Sequence, residues 1–282
     1  MEESAPDRAG EDGVVVTPGA PAPTPNRTGA APDQSFRATP RRATVAAPDH
    51  AADAAPDHAA DAASAEVLEP GDFDTMRVGY GLHDRLDVAD LAAGWLPLFT
   101  DWLDEAGRRG VREPNAMVLG TVEGGRPSTR TVLCKGADDL GVTFFTTTTS
   151  RKGAQLAASG FASVTFPWLV AERQVHMEGP CHPLSREDSL AYWRTRPRGS
   201  QVAAWASEQS RPVSSVAQLE ALYTEAQERF AGVEEVPMPD RWGGYRLSPE
   251  RVEFWQGGRD RFHDRVECRL QGGRWVVSRL QP

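Results

Sequence analysis

The feature that most constrains the fold is a series of short segments with strand character, separated by turn sequences, that begins at Ala116. The segments are 116–122, 128–135, 142–146, 161–168, 173–181, 244–247, 251–255, 263–270 and 275–280. Turns such as Glu123-Gly124-Gly125-Arg126 are too short to hold the crossover helix that parallel strands need. The pattern therefore predicts a mainly antiparallel barrel of the α+β class.

Apolar spacing and capping residues predict four helices at the periphery of these strands. They cover residues 90–109, 151–158, 186–196 and 215–230. Pro197 should stop the third helix, which makes Ser200 a loop residue. No GxGxxG sequence opens a helix after a strand, so a Rossmann dinucleotide domain is not expected.

Residues 1–70 differ in composition from the rest of the chain, because Ala, Pro, Asp, Gly and Thr dominate and aromatic residues are almost absent. Such a segment cannot bury enough apolar surface to offset chain entropy, so we predict a disordered tail before one folded domain over 71–282. Within the tail, AAPDHAAD at 46–53 repeats at 54–61 and brings in His50 and His58. A low-complexity duplication explains these histidines better than a metal site, since nothing apolar would hold the ligands.

Charge and cysteine content narrow the class of protein. A net charge of -9 argues against nonspecific nucleic-acid binding. Cys134, Cys181 and Cys268 are widely spaced and form no CxxC pair, so neither a disulfide framework nor a zinc site is predicted. The start of the sequence lacks a secretory-signal pattern and no apolar run is long enough to span a bilayer. We expect a cytoplasmic protein that binds neither nucleic acid nor membranes.

The segment FWQGGRDRFHDR, residues 254–265, combines an aromatic pair, a glycine pair, three arginines and a histidine. Flat apolar surface beside planar guanidinium donors suits an anionic aromatic ligand. On these residues alone, a plain β-hairpin with solvated arginines stays open as an alternative.

Together with RTVLCK at 130–135, SRK at 150–152 and ERQV at 172–175, this segment resembles pyridoxamine 5'-phosphate oxidase, a family of FMN enzymes of vitamin B6 metabolism. The resemblance runs from about Arg77 to Pro282. It implies the FMN-binding split β-barrel, seen as a homodimer with active sites at the subunit interface. It also implies oxidation of pyridoxamine 5'-phosphate and pyridoxine 5'-phosphate to pyridoxal 5'-phosphate, with O2 as electron acceptor and H2O2 as product.

The same resemblance implies a set of FMN-binding residues. They are Arg130, Thr131, Val132, Leu133, Cys134, Lys135, Phe145, Thr146, Arg151, Lys152, Gln174, Gln209, Ser210, Trp255 and Arg265. In the family Gln209 and Ser210 reach the flavin from the partner subunit. Ser150 can cap a helix here, so that free N–H groups, the helix dipole and two cations converge on the FMN phosphate. The flavin carries the redox chemistry, so Cys134 is expected to be a packing residue and not a nucleophile.

On the substrate side, the resemblance implies Arg77, Tyr80, Lys135, Tyr192, Arg196, Ser200, Arg261 and His263. Three of them, Tyr192, Arg196 and Ser200, would bind the substrate phosphate. Arg261 and His263 are two apart, so a closing strand would point both to one face, where they would orient the reacting carbon as the catalytic residues. Arg77 and Tyr80 match an N-terminal lid, although the GLHDRLD that follows departs from the family pattern.

One pair of these residues poses a geometric problem. Arg130 and Lys135 are five apart, so an unbroken strand would point them to opposite faces. A bulge between them, or contacts made on opposite sides of a dimer interface, would resolve the conflict.

Three alternative functions remain open at this point. The chain could be a split-barrel flavin oxidase for another aromatic substrate such as a phenazine precursor, a deazaflavin-dependent reductase, or a noncatalytic carrier of flavin or pyridoxal phosphate. Tyr192, Arg196, Ser200 and the RFH sequence at 261–263 favour a phosphorylated pyridine.

Overall fold

The computed structural model describes residues 14–16 and 79–282. Its strands are β1 (Val14–Val16), β2 (Ala116–Glu123), β3 (Arg126–Leu133), β4 (Gly136–Asp138), β5 (Gly141–Thr147), β6 (Phe161–Trp168), β7 (Arg173–Pro183), β8 (Trp242–Leu247), β9 (Arg251–Gln256), β10 (Asp264–Gln271) and β11 (Arg274–Leu280). Its α-helices are α1 (Trp95–Arg108), α2 (Arg151–Ser159), α3 (Arg186–Thr195), α4 (Arg198–Ala206) and α5 (Val216–Arg229). Short 3-10 turns lie at Val88–Leu91, Leu169–Ala171 and Arg259–Arg261.

All strand pairs described are antiparallel. The strands follow the order β1-β11-β10-β9-β7-β6-β2-β3, and a branch runs from β7 through β8 and β5 to β4. The predicted α+β class, with antiparallel strands and helices at their periphery, is confirmed.

Strand β7 is the branch point, because it changes partner along its length. Its first half pairs with β9 from Arg173 to Glu178, and its last residues, Cys181 to Pro183, pair with β8. Gly179 lies at the change of partner. A Cβ there would come within 2.2 Å of the Ser248 carbonyl oxygen, so only glycine lets the turn between β8 and β9 cross this closely.

Two apolar cores hold the helices in place. Helix α1 buries one face against the sheet, where the Phe99 ring lies 4.9 Å from Phe166 and the Trp102 ring lies 5.2 Å from Phe254. The second core packs helices α3, α4 and α5 around Trp242 of β8. Its buried members are Trp193, Val202, Ala226, Phe230, Val236, Met238 and Trp242. This second core determines where the α3 and α4 side chains meet β5.

Several element boundaries differ from the sequence prediction. Strand β4 and helix α4 were not predicted, and α1 begins at Trp95, after a separate 3-10 turn, and not at residue 90. Strand β1, which pairs with β11, was not predicted either. The remainder of the tail predicted for 1–70, with His50 and His58, lies outside the described residues. Among the helices of the described part, none is both long and apolar enough to cross a membrane.

Candidate active site

Three cations meet where β3 approaches the start of α2, and we call Arg130, Arg151 and Lys152 the cationic cluster. Burial, together with the charge of Arg130, lowers the pKa of Lys152 to about 8. Burial and then the charge of Arg151 lower the pKa of Arg130. Within residues 79–282, none of the three forms a salt bridge. Neighbouring cations without a carboxylate partner fit a dianionic phosphate.

Neutral groups fix the geometry of this cluster. Arg130 donates to the Thr121 hydroxyl at 2.5 Å and to Gln155 Oε1 at 3.0 Å. Ser150 caps α2, its hydroxyl accepting from the Gly153 N–H at 3.3 Å, as the sequence predicted. The first turn of α2 therefore presents backbone N–H groups and the positive end of the helix dipole beside the three cations.

Gln209 joins the cationic cluster from the same chain. The Lys152 ammonium donates to Gln209 Oε1 at 2.6 Å and to Thr146 Oγ1 at 3.1 Å, and the Thr146 hydroxyl donates to Gln209 Oε1 at 2.8 Å. The resemblance implies that Gln209 reaches the flavin from the partner subunit, and within its own chain Gln209 contacts Lys152. Ser210 follows with φ +74° and lines a cavity of about 660 Å³ beside α4 and α5.

The conflict between Arg130 and Lys135 disappears because β3 ends between them. The strand stops at Leu133, and the Lys135 N–H then donates to the Thr143 carbonyl of β5 at 2.8 Å. Arg130 is half-buried against β2, whereas Lys135 is exposed. Thr131 is exposed too, and Val132 and Leu133 are half-buried. Cys134 is buried, its thiol donates to the Gly136 carbonyl, and burial raises its pKa, which fits the predicted packing role.

Tyr192, Arg196 and Ser200 also come together, and we call them the α3–α4 cluster. The Tyr192 ring stacks on Phe145 of β5 at 4.0 Å. Arg196 lies over the Trp242 ring at 4.8 Å and donates to the Ser200 carbonyl at 3.0 Å. The prediction that Ser200 is a loop residue is wrong. Pro197 lacks an N–H but tolerates the start of a helix, so α4 begins directly after it.

Strand β5 connects these two clusters through adjacent residues. Phe145 stacks on Tyr192 of the α3–α4 cluster, while the next residue, Thr146, accepts a hydrogen bond from Lys152 of the cationic cluster. Successive strand residues point to opposite sides, so β5 presents one residue to each cluster. The two predicted anion sites are therefore neighbours within one chain.

A third group contains Tyr80, Trp255 and His263, and we call it the aromatic cluster. The Tyr80 ring lies 5.7 Å from Trp255 and 5.5 Å from His263, edge-on to both, and Trp255 lies 4.7 Å from His263. His263 Nδ1 accepts from the Gly258 N–H at 3.1 Å, so the proton of the neutral ring is on Nε2. Arg77 lies outside the described residues.

The prediction that Arg261 and His263 share a strand face is wrong, because β10 begins one residue later, at Asp264. Arg261 ends the 3-10 turn at Arg259–Arg261 with φ +65°, and Asp260 before it has φ +54°. Two consecutive non-glycine residues in the left-handed region cost on the order of 1 kcal/mol each, and such strain concentrates at functional sites. The turn leaves the Arg261 side chain exposed near the aromatic cluster.

Gln174 and Arg265 flank Trp255 on neighbouring strands. Gln174 of β7 is the register partner of Trp255, and so is Arg265 of β10. Arg265 donates to both carboxylate oxygens of Glu253, at 2.7 and 3.1 Å, which raises its pKa. Glu253 was not predicted as a site residue. It lies two residues before Trp255 on β9, and this spacing indicates that both side chains point to the same face of the strand.

The α3–α4 cluster and the aromatic cluster lie near opposite ends of β7, whereas Arg130 of the cationic cluster is level with Met177, in the middle of that strand. Gln174, beside the aromatic cluster, lies near the start of the strand, and Pro183 lies at its end, where Leu184 bonds to Gly244 next to Phe145. At about 3.3 Å per residue, nine residues separate these ends by roughly 30 Å. The α3–α4 cluster and the aromatic cluster are therefore far apart along β7.

Comparison with known proteins identifies the family and confirms the predicted split barrel. Residues 103–256 match the family described as Pyridoxamine 5'-phosphate oxidase, and residues 242–282 match the Pyridoxine 5'-phosphate oxidase C-terminal dimerisation region. The chain belongs to the pyridoxamine 5'-phosphate oxidase family. It is therefore an FMN-dependent oxidoreductase, and the dimerisation region supports a homodimer.

Individual relatives agree with this assignment. The chain is 52% identical over 215 residues to the pyridoxine/pyridoxamine 5'-phosphate oxidase of Nocardia farcinica (strain IFM 10152), a match that covers 75% of this chain and 96% of the relative. It is 53% identical over 213 residues to the protein of the same name from Mycobacterium sp. (strain KMS), covering 73% and 95%. PhzG from Burkholderia lata 383, solved with tetrahydrophenazine-1-carboxylic acid, superposes with a TM-score of 0.67 at 34% identity, covering 72% of this chain and all of PhzG.

Proposed function

We propose that this protein oxidises pyridoxamine 5'-phosphate and pyridoxine 5'-phosphate to pyridoxal 5'-phosphate, with O2 as the final electron acceptor and H2O2 as product. The observation that carries the proposal is the pair of anion sites joined by Phe145 and Thr146 on β5. A flavin mononucleotide and a phosphorylated substrate bring one phosphate each. The cationic cluster suits the first phosphate, and the α3–α4 cluster suits the second.

The chain's own residues would bind FMN mainly through its phosphate. The start of α2, with Arg151 and Lys152, holds that group, and Arg130 adds a guanidinium already oriented by Thr121 and Gln155. When bound, FMN supplies the acceptor for the two electrons and passes them to oxygen. The cofactor would be contacted away from its phosphate by Gln174, Trp255 and Arg265. Glu253 would orient the Arg265 guanidinium.

On the substrate, the protein needs to position one carbon and hold one phosphate. Arg196 with Tyr192 and Ser200 binds the phosphate, and Arg261 and His263 orient the exocyclic carbon that loses two hydrogens. Pyridoxine 5'-phosphate then gives the aldehyde directly, while pyridoxamine 5'-phosphate also consumes one water and releases ammonia. The neutral His263 ring can donate from Nε2, since Nδ1 is occupied by the Gly258 N–H.

We infer that each active site combines the cationic and α3–α4 clusters of one subunit with the aromatic cluster of the other. The match of residues 242–282 to a dimerisation region supports this, because Trp255, His263 and Arg265 lie within that region. A homodimer with two-fold symmetry would build two equivalent sites. We place the reaction in the cytoplasm, where Cys134, Cys181 and Cys268, all buried and free, would stay reduced.

A second candidate is oxidation of a phenazine precursor, which the likeness to PhzG favours. The two candidates differ in what Arg196 must bind, a phosphate or a ring carboxylate. Purified protein should therefore be assayed with both phosphorylated vitamers, with dihydro- or tetrahydrophenazine carboxylic acids and with unphosphorylated pyridoxamine, while H2O2 is quantified. Equimolar aldehyde and H2O2 from the vitamers, with kcat/KM at least about 100-fold above that for the phenazines, supports the proposal. The reverse preference would refute it.

A further inference from the structure

The residues before the first helix form a strap across the aromatic cluster, and we define the strap as residues 79–87. Its Tyr80 ring lies edge-on to Trp255 and His263. A Cβ on Gly257 would come within 2.7 Å of the Tyr80 ring, so the ring rests directly on the Gly257 backbone. The Arg259 side chain, which had no predicted role, packs against Gly81 of the strap.

One buried carboxylate holds the start of this strap. Glu172 is only 7% exposed, and its Oε2 accepts from the backbone N–H groups of Gly81 at 2.8 Å and Leu82 at 3.0 Å. Its own carbonyl accepts from the Gly257 N–H at 2.8 Å. Glu172 therefore holds both the backbone that follows Tyr80 and the Gly257 backbone on which the Tyr80 ring rests.

Glu172 also has an unusual backbone conformation. Its φ of +50° lies in the left-handed region, which a glutamate rarely adopts. The strained residue ends the 3-10 turn at Leu169–Ala171 and directs its side chain towards the strap. Strain of this kind is retained where the surrounding structure requires one particular side-chain position.

A second buried carboxylate holds the far end of the strap. Asp264 is 2% exposed and accepts from the Leu86 N–H at 3.2 Å, from Arg85 at 2.7 Å and from Arg279 at 2.7 Å. Gln256 also donates to the Asp84 carbonyl at 2.6 Å. Nearer Tyr80, His83 Nε2 lies 2.8 Å from the Ala171 carbonyl oxygen, and Glu172 holds the two amides that follow Tyr80.

We propose that Glu172 is a positioning residue for the substrate: its carboxylate fixes the strap so that Tyr80 covers the face formed by Trp255 and His263. This inference rests on the proposed function, because that face is where the vitamer ring would lie. Glu172 is assigned no contact with substrate or cofactor, so its effect on substrate binding passes through Tyr80.

Two amide variants make a matched test. Glu172→Gln keeps an oxygen at the same reach, and that oxygen can still accept from Gly81 and Leu82. Glu172→Asn has the same amide and tolerates the left-handed region better, but it is one methylene too short. We expect E172N to raise KM for pyridoxamine 5'-phosphate about tenfold, with FMN retention unchanged and E172Q within about threefold of wild type.

Hydrogen exchange tests the strap without any substrate. Amides of residues 79–87 should exchange at least about tenfold faster in E172N than in E172Q or wild type, while β2 and β6 amides keep their protection. Slow exchange of the strap in E172N would overturn the proposal, whatever the activity. If wild type fails to oxidise the vitamers, the proposed function fails, and the exchange result still decides the role of Glu172 in holding the strap.

A double-mutant cycle tests the route through Tyr80. If Glu172 acts by placing that ring, E172N should raise KM no further in a Tyr80→Ala background. Additive effects of the two substitutions would contradict the proposal. So would loss of FMN from E172N in proportion to its loss of substrate affinity.

Discussion

The ammonium of Lys152, at the start of α2, lies 2.6 Å from Oε1 of Gln209, a residue 57 positions further along the chain. This contact brings the segment after α4 onto the cationic cluster, and it satisfies the lysine with a neutral oxygen that leaves its charge uncompensated. Burial and the nearby Arg130 consequently lower the pKa of Lys152 to about 8. A bound phosphate would supply the missing negative charge.

FMN binding should depend on pH through the protonation of Lys152. In the cofactor-free protein Lys152 loses its proton as the pH rises through about 8, but phosphate binding requires the charged form. FMN affinity should therefore fall above pH 8, by up to about tenfold per pH unit. Lys152→Arg stays charged and should remove this fall up to about pH 10, as measured by flavin fluorescence quenching. The same slope in both proteins would contradict the assignment.

The depressed pKa also has a consequence for stability. Between about pH 8 and the ordinary lysine value of 10.5, the unfolded chain binds more protons at this position than the folded cofactor-free chain. The contribution of Lys152 to the free energy of unfolding should therefore rise with pH across that window. Urea unfolding of cofactor-free wild type and K152R, compared at pH 7.5 and 9.5, isolates this contribution. If the free energy of unfolding rises no more in wild type than in K152R between these two pH values, the lowered pKa of Lys152 is contradicted.

Replacing both Arg151 and Lys152 by alanine should yield mostly cofactor-free protein. Each charge-assisted hydrogen bond to a phosphate is worth about 1.5–3 kcal/mol, so the pair should cost at least about 100-fold in FMN affinity. Arg112→Ala, at an exposed loop position, is the control and should keep its flavin. A double variant that purifies yellow, with one FMN per chain, would disprove the phosphate assignment.

Arg196 should discriminate between phosphorylated and unphosphorylated substrates. Arg196→Ala removes a guanidinium held between Trp242 and the Ser200 carbonyl, so KM for pyridoxamine 5'-phosphate should rise about 100-fold. The turnover of pyridoxamine itself, which has no phosphate, should change by less than about threefold. Arg196→Lys keeps the charge but lacks the planar guanidinium, so its KM for pyridoxamine 5'-phosphate should lie between those of wild type and Arg196→Ala. Equal losses on both substrates would show that Arg196 serves packing instead.

The sequence predicted most of the fold because its signals are local. Alternating residues in β6 and β7, the Gly-Gly turn between β2 and β3, and the Ser150 cap each act within a few residues. Helix α4 was missed because Pro197 reads as a stop, whereas a proline at a helix start is compatible with a new helix.

The site was predicted less completely, since its geometry depends on distant contacts. The family pattern named Arg130, Lys152 and Gln209, but nothing local brings Gln209 to Lys152 or Glu172 to Gly81, 91 residues away. The sequence spacing of Arg261 and His263 also led to a wrong prediction, because it took no account of the turn. Arg261 and His263 were assigned to one strand face, yet two residues with positive φ bend the backbone there.

Mixing two impaired variants should test whether each site uses two subunits. At a pyridoxamine 5'-phosphate concentration far below the KM of Arg196→Ala, that variant and Arg261→Ala should both be nearly inactive, and Arg261→Ala should lose turnover without loss of FMN. When equal amounts of both chains are co-expressed, half of the dimers should be mixed, each with one intact site, which restores about a quarter of wild-type activity. Activity no higher than that of either variant alone would place the whole site within one chain.

The most direct test of the central claim is anaerobic reduction of the bound flavin. Protein carrying FMN should be mixed with pyridoxamine 5'-phosphate in the absence of oxygen and followed by its visible absorbance. We expect the oxidised flavin bands to bleach with one equivalent of pyridoxal 5'-phosphate formed per FMN, and admitted oxygen to restore the bands with release of H2O2. A spectrum that stays oxidised although the vitamer is bound would show a carrier of flavin and vitamer and contradict the assignment as an oxidase.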